Sequence, residues 1–416
     1  MDIREKLTER FLRYVSVPSQ SDASNDAVPS TPGQLKLAQM LMNELEEMGL
    51  IDIYLSEKGV LTAHLPAKDG LGDCPAIGWI VHLDTADIGA SPEVRPLIVR
   101  NYDGADILQD RERQTFIRVS EHPELKKYAG EDIIVSDGTS VLGADNKAAM
   151  TIVMCALGIL SVDKSIPHGD IFVAFTPDEE IGLRGAKALE MERFPVDYGY
   201  TIDCCERGEV AYRTFNAASA VIRIRGVSAH PMSAKNVMVN AVTVGTDIIS
   251  MFDRASVPEH TEGTEGFMYV NGFSGNTAGA EISVIIRDHD REAFEQKKSY
   301  LEECVKAVSM KYPSAGLSLE ISDTYGNIED ALSEKDRSPV EDIFRAMKEL
   351  DIEPKDIAMR GGTDGSYIST LGIPVPNYFT GAHNFHSLAE FLPIGSMEDS
   401  LRVTMKLIGY ASEKRR

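Results

Sequence analysis

His82 and Asp84 stand two residues apart at the end of the apolar run AIGWIVHLDT. Groups of this kind go inside a protein only when they are hydrogen-bonded, paired or bound to a metal, so the run needs partners from elsewhere in the chain. Four further segments offer them: Asp145 in LGADNK, Glu179 and Glu180 in TPDEE, Asp203 at the end of YGYTID, and His386 after NYFTGAHNF. Imidazole together with carboxylate suits zinc, and one carboxylate can bridge two ions. Side chains two apart on extended backbone share a face, so His82 can meet a metal while Asp84 orients its ring from behind. Adjacent Glu179 and Glu180 point different ways, which leaves one for a metal and the other for a proton.

The elements that must carry these residues alternate between short apolar runs and helical patterns, the texture of a mostly parallel α/β sheet buried on both faces. Residues 76–81, 171–175, 198–202 and 375–379 read as strands. Ligands of such sheets gather beyond the carboxyl ends of the strands, which is where the polar clusters fall. Thr31-Pro32-Gly33-Gln34 offers a capping box with proline at the first helical position, opening a helix to about residue 48. NKAAMTIVMCALGIL is helical by length and composition. From about residue 215 the texture changes to strand, helix, strand, strand, helix, strand, the split ferredoxin-like order. It returns to α/β after about residue 322, so a small domain is inserted in a larger one.

At 416 residues the chain exceeds one ordinary core, and its net charge of −23 argues against nucleic acid and anionic membranes as partners. Five cysteines without framework or CxxC spacing read as reduced thiols. No apolar run approaches a membrane span, and MDIREKLTERF lacks the apolar stretch of a signal peptide, so a cytoplasmic protein is expected. His64, His122, His168, His260, His289 and His383 are assigned ordinary structural roles.

An ordered set of segments carries a resemblance over nearly the whole chain: VPSTPGQLKLAQML, LEEMGLIDIYLSEKG, HLDT, LGADNK, IPHGDIFVAFTPDEEIG, FNAAS, MVNA, IIRDHD, the stretch MRGGTDGS with Met359 in place of isoleucine, and NFHSLAEF. It resembles the co-catalytic zinc exopeptidases, and within them the peptidase T group of tripeptide aminopeptidases. The resemblance implies a discontinuous catalytic domain at 1–214 and 323–416 and a lid and homodimerisation domain at 215–322. It implies two zinc ions per subunit, one held by His82, Asp145 and Asp203 and the other by Asp145, Glu180 and His386. Asp84 would then orient His82 and Glu179 would be the general base and acid. His230 would reach a neighbouring subunit's site, and Asn240, Arg287 and Arg360 would contact the peptide. A non-proline cis peptide is implied at Asp145–Asn146.

Two departures stand out. Asn146 replaces an acidic residue, and Cys204-Cys205 replace glycines after Asp203, where a thiolate could compete for zinc. Other readings stay open at this point: a metal-dependent deacylase or dipeptidase, a metal-binding protein without catalysis, and a small-molecule binding module whose polar rim is structural.

Overall fold

The computed structural model describes residues 2–332 and 337–416. The chain forms two units, one of residues 1–212, 331–357 and 363–416, the other of residues 213–330 and 358–362. The boundary expected at 323 falls inside the strand Gly316–Tyr325, which keeps pairing with Asn216–Arg225 as far as Tyr325.

The first unit is built on an eight-stranded sheet. Its spatial order is Ile51–Leu55, Leu61–Leu65, Ile171–Thr176, Ile77–His82, Tyr198–Cys204, Asn377–Phe379, Glu209–Thr214 and Lys355–Met359. Ile77–His82 runs parallel to both of its neighbours, and Asn377–Phe379 runs parallel to Tyr198–Cys204. Antiparallel pairs flank this centre. All six residues of Ile77–His82 and of Ile171–Thr176 are buried, which is why these segments read as unbroken apolar runs rather than alternating ones. Register sets His82 opposite Thr176, so the Asp-Glu-Glu turn leaves the sheet beside His82. The last strand starts at Asn377 rather than 375. Pro374 and Pro376 have no N–H to donate, although their carbonyls accept from Gly199 and Thr201.

The helix Pro32–Glu47 has proline in its first turn, but Thr31 makes no capping bond. The expected capping box is absent because the Gln34 amide is engaged by Asp178 and the Thr31 hydroxyl donates to the Gln20 carbonyl. Ala144–Val162 is long and apolar enough to cross a membrane, yet 78% of its apolar window is buried inside the protein. Its residues pack against the central strands as a core helix. A small antiparallel sheet of Pro96–Val99, Ile133–Ser136 and Phe391–Pro393 supports the chain just after His386.

The second unit has the order strand, helix, strand, strand, helix, strand: Asn216–Arg225, Ala241–Ile249, Phe267–Gly275, Gly279–Asp288, Arg291–Lys311 and Gly316–Tyr325. Its antiparallel sheet runs Phe267–Gly275, Gly279–Asp288, Asn216–Arg225, Gly316–Tyr325. Ala218, Ala220, Ile222 and Ile224 point into a core with Val244, Ile248, Phe294, Leu301 and Val308, while Arg223 and Arg225 face outward. This is the period-two pattern of a sheet with one covered face.

Candidate metal centre

Three strand ends and two loops of the first unit bring His82, Asp145, Glu179, Glu180, Asp203 and His386 together. Three overlapping groups each place their ligand atoms within 4.8 Å of one another: His82, Asp145 and Asp203; Asp145, Glu180 and His386; and His82, Glu179 and Glu180. Asp145 is common to the first two. Its Oδ1 lies 2.9 Å from His82 Nε2 and its Oδ2 lies 3.0 Å from His386 Nε2. His386 Nε2 is also 2.9 Å from Glu180 Oε1, and His82 Nε2 is 3.9 Å from Asp203 Oδ1. Tetrahedral ligands about 2.0–2.2 Å from one zinc ion are roughly 3.3–3.6 Å apart, so the imidazole–carboxylate contacts at 2.9–3.0 Å are hydrogen-bonded pairs that a cation would spread by a few tenths of an ångström, and the 3.9 Å separation would close by about as much.

The charge balance fits as well. Asp145, Glu179, Glu180 and Asp203 stand against two imidazoles; little water reaches the four acids or His82, while His386 is exposed. Burial disfavours the charged carboxylates: it holds Glu179 well above its usual value, raises Asp203, and pushes Glu180 up to about 7 with help from the Asp145 charge. Burial would raise Asp145 too, but His386 and His82 together hold it low. Burial works against a charged His82, yet the Asp145, Asp203 and Asp84 carboxylates hold it well above the ordinary imidazole value. Divalent cations would offset this excess of negative charge.

Asp84 is fully buried and does more than face one ring. The nearest partner of His82 Nδ1 is the Asp84 backbone carbonyl at 3.0 Å, with carboxylate Oδ1 at 3.4 Å. The Asp84 carboxylate also accepts from the backbone N–H groups of Glu179 at 2.9 Å and Glu180 at 3.2 Å. The other side of that turn is held by Asp178, whose φ is +57°. Asp178 accepts from Ser30 N at 2.7 Å and Gln34 Nε2 at 2.6 Å, and donates its own N–H to Gln34 Oε1 at 2.9 Å.

The peptide between Asp145 and Asn146 is cis. Asn146 donates to Asp203 Oδ1 at 2.7 Å and to the Ile202 carbonyl at 2.9 Å. An ionised acid at that position would have nothing to donate. Cys204 is buried and Cys205 half-buried, burial pushes both thiols up, and neither belongs to a ligand group among the described residues.

Sequence reasoning missed Glu390, Asp364 and Lys147. Glu390 is 1% exposed and accepts from Gly143 N and Asp145 N; burial pushes it up to about 8. Asp364 accepts from the Thr176 hydroxyl, and burial pushes it up to about 7. Lys147 Nζ donates to the Val17 carbonyl at 2.8 Å, and burial lowers it to about 7. A hydrophobic pattern carries no mark of such acceptors; only the acid in SLAEF and the lysine in ADNK, each set in apolar surroundings, could have flagged them.

His230, Asn240, Arg287 and Arg360 all belong to the second unit. His230 is exposed and its Nδ1 accepts from Met232 N. Asn240 caps the helix Ala241–Ile249. Arg287 donates to the Ala218 and Ile286 carbonyls. Arg360 donates to the carbonyls of Gly263 and Glu265 and to Thr261 Oγ1. Of the histidines given structural roles, His383 is buried and meets the Tyr128 hydroxyl at 2.6 Å, and His64 faces Asp170 at 2.9 Å.

Comparison with known proteins gives a consistent picture. The profile of Peptidase family M20/M25/M40 matches residues 142–410. A peptidase T-like protein of Yersinia pestis is 52% identical over 402 residues, covering 97% of both chains. Peptidase T of Caldanaerobacter subterraneus subsp. tengcongensis is 42% identical over 409 residues, covering 98% of this chain and 99% of the relative. Among solved structures, aminopeptidase PepT from Bacillus cereus superposes with a TM-score of 0.76 at 24% identity over 99% of each chain, a likeness of fold.

Proposed function

Because this chain belongs to peptidase family M20/M25/M40, we propose that it is a two-zinc aminopeptidase that releases the N-terminal residue of tripeptides. One observation carries the reading: Asp145 offers one carboxylate oxygen to the His82 side and the other to the His386 side. That is the arrangement of a bridge between two ions, with His82 and Asp203 completing one position and Glu180 and His386 the other. When bound, such a pair polarises a scissile carbonyl and lowers the pKa of water.

The chain's own residues supply the rest. Glu179 is the acid left over once each position has its three ligands, and it takes the proton of the attacking water and passes it to the leaving amine. Burial holds the Glu179 carboxyl above its usual value, which makes its carboxylate the stronger base for taking that first proton. Asp84 fixes the His82 ring and the turn that aims Glu179 and Glu180. Substrate contacts are assigned to His230, Asn240, Arg287 and Arg360. The exposure of His230 supports its part, whereas each arginine spends N–H groups on its own unit and contacts peptide only with those that remain.

The reading includes a cytoplasmic setting, in keeping with five free cysteines, and a homodimer through the second unit, testable by sedimentation. The deciding experiment strips the metal, restores zinc, and follows cleavage of di-, tri- and tetrapeptides with free and blocked amino ends. Zinc-dependent release of a free N-terminal residue from unblocked tripeptides is expected. Preference for N-acylated substrates or dipeptides would replace the reading with a deacylase or dipeptidase, and absence of any turnover with two ions bound would leave a metal-binding protein.

A further inference from the structure

We propose that Glu390 is a positioning residue of the paired centre: its carboxylate clamps the loop carrying Asp145 to the loop carrying His386, and so sets the ligands of the Glu180 and His386 position. The proposal rests on the two-metal reading above. His82 and Asp203 stand on strands of the central sheet. Asp145 does not. It follows a tight bend at Gly143, whose φ is +75° and where a Cβ would lie 3.0 Å from Thr85 Cγ2. That bend turns two N–H groups toward one carboxylate: Gly143 N donates to Glu390 Oε2 at 2.8 Å and Asp145 N to Glu390 Oε1 at 3.2 Å.

The same loop carries His386, four residues before Glu390. Paired backbone bonds between His383 and Phe391, at 2.9 and 3.2 Å, close its base. Asn384 Nδ2 to the Ala389 carbonyl and Gln109 Nε2 to the Leu388 carbonyl brace its interior. One rigid loop therefore grips the Asp145 backbone at one end and presents the His386 imidazole to the Asp145 side chain at the other, 3.0 Å from Oδ2. His386 and Asp145 take their mutual spacing from the clamp, whereas Glu180 is held through Asp84 and Asp145 has a second anchor through Asn146, which donates to Asp203 and to the Ile202 carbonyl. The His82 and Asp203 position keeps two sheet-mounted ligands. Glutamine at 390 has one acceptor oxygen, and its NH₂ would face a buried N–H.

The test is titration of metal-stripped wild type, Glu390→Gln and Glu390→Asp with Co²⁺ alone, read by its visible absorption bands. Residues that orient metal ligands typically contribute about 10- to 100-fold in affinity. In Glu390→Gln one Co²⁺ equivalent should bind about 10- to 100-fold more weakly, with the other changed less than about threefold. Equal weakening of both equivalents, or no change in either, overturns the proposal. If Glu390→Gln does not fold, Glu390→Asp, which keeps two oxygens but falls a methylene short, is judged by the same criteria. Wild type that binds fewer than two ions would instead sink the two-metal reading itself.

Discussion

Replacing Glu179 by glutamine separates chemistry from architecture at this site. Glu179 is 9% exposed, and its backbone N–H is already held by Asp84. Glutamine keeps the volume and leaves that bond in place. A positioned general base contributes typically about 10²- to 10⁴-fold, so kcat should fall by that factor, about 2.7–5.5 kcal/mol at 1.36 kcal/mol per decade. Zinc content should stay at two ions per chain, because Asp145, Asp203, His82, Glu180 and His386 are untouched.

Stability of the metal-free protein moves the other way. The folded-state pKa of Glu179 is raised by burial and by Asp203, Glu180 and Asp364. A carboxyl whose pKa is higher folded than unfolded costs stability as pH rises above the unfolded value, since the folded state must give up a proton it favours. Glutamine removes that cost, so at pH 7–8 the metal-free variant should be at least as stable as wild type. Steady-state kinetics on an unblocked tripeptide, metal analysis and urea unfolding of the stripped proteins measure the three quantities. Turnover within tenfold of wild type, or loss of an ion, would refute the role given to Glu179.

Other perturbations follow from the same geometry. Asp84→Asn leaves one buried N–H of the Glu179 and Glu180 turn without its acceptor, so urea unfolding should show a loss of about 1–3 kcal/mol, and zinc competition a loss of about 10- to 100-fold in affinity. Gly143→Ala should cost about 1–2 kcal/mol for the left-handed backbone and more for the Thr85 contact, whereas Gly49→Ala, at φ +78° with nothing within 4 Å, should show the backbone cost alone. His383 is pushed down to about 4 by burial. It folds neutral, so it adds no penalty above its unfolded pKa near 6.5 and a growing one as pH falls toward 4, about 3 kcal/mol in all. Urea midpoints across that window should decline more steeply for wild type than for His383→Gln, and parallel declines would contradict the assignment.

How much of this was legible depends on where each residue gets its position. The strands Ile77–His82 and Ile171–Thr176 are buried on both faces and therefore spell themselves out as apolar runs, with the polar groups at their ends standing out by contrast. The second unit is legible from alternation, because only one face of its sheet is covered. Glu390, and the bracing role of Asp178 within the Asp-Glu-Glu cluster, were invisible because these acids serve backbone N–H groups far away in sequence, at Gly143 and Ser30, and such pairings leave no period. The same cause misled the reading of Gln34: its spacing from Thr31 fits a cap, but a distant buried acid competes for its amide more strongly than the helix end does. Pro376 shortened a strand for a local reason, the missing donor, that the sequence does contain.

Diffraction from zinc-loaded crystals at the zinc absorption edge tests the central claim most directly. The account predicts two anomalous peaks about 3.5–4 Å apart, one ligated by His82 and Asp203, the other by Glu180 and His386, with Asp145 bonded to both. A single peak, or two peaks that do not share Asp145, would contradict it.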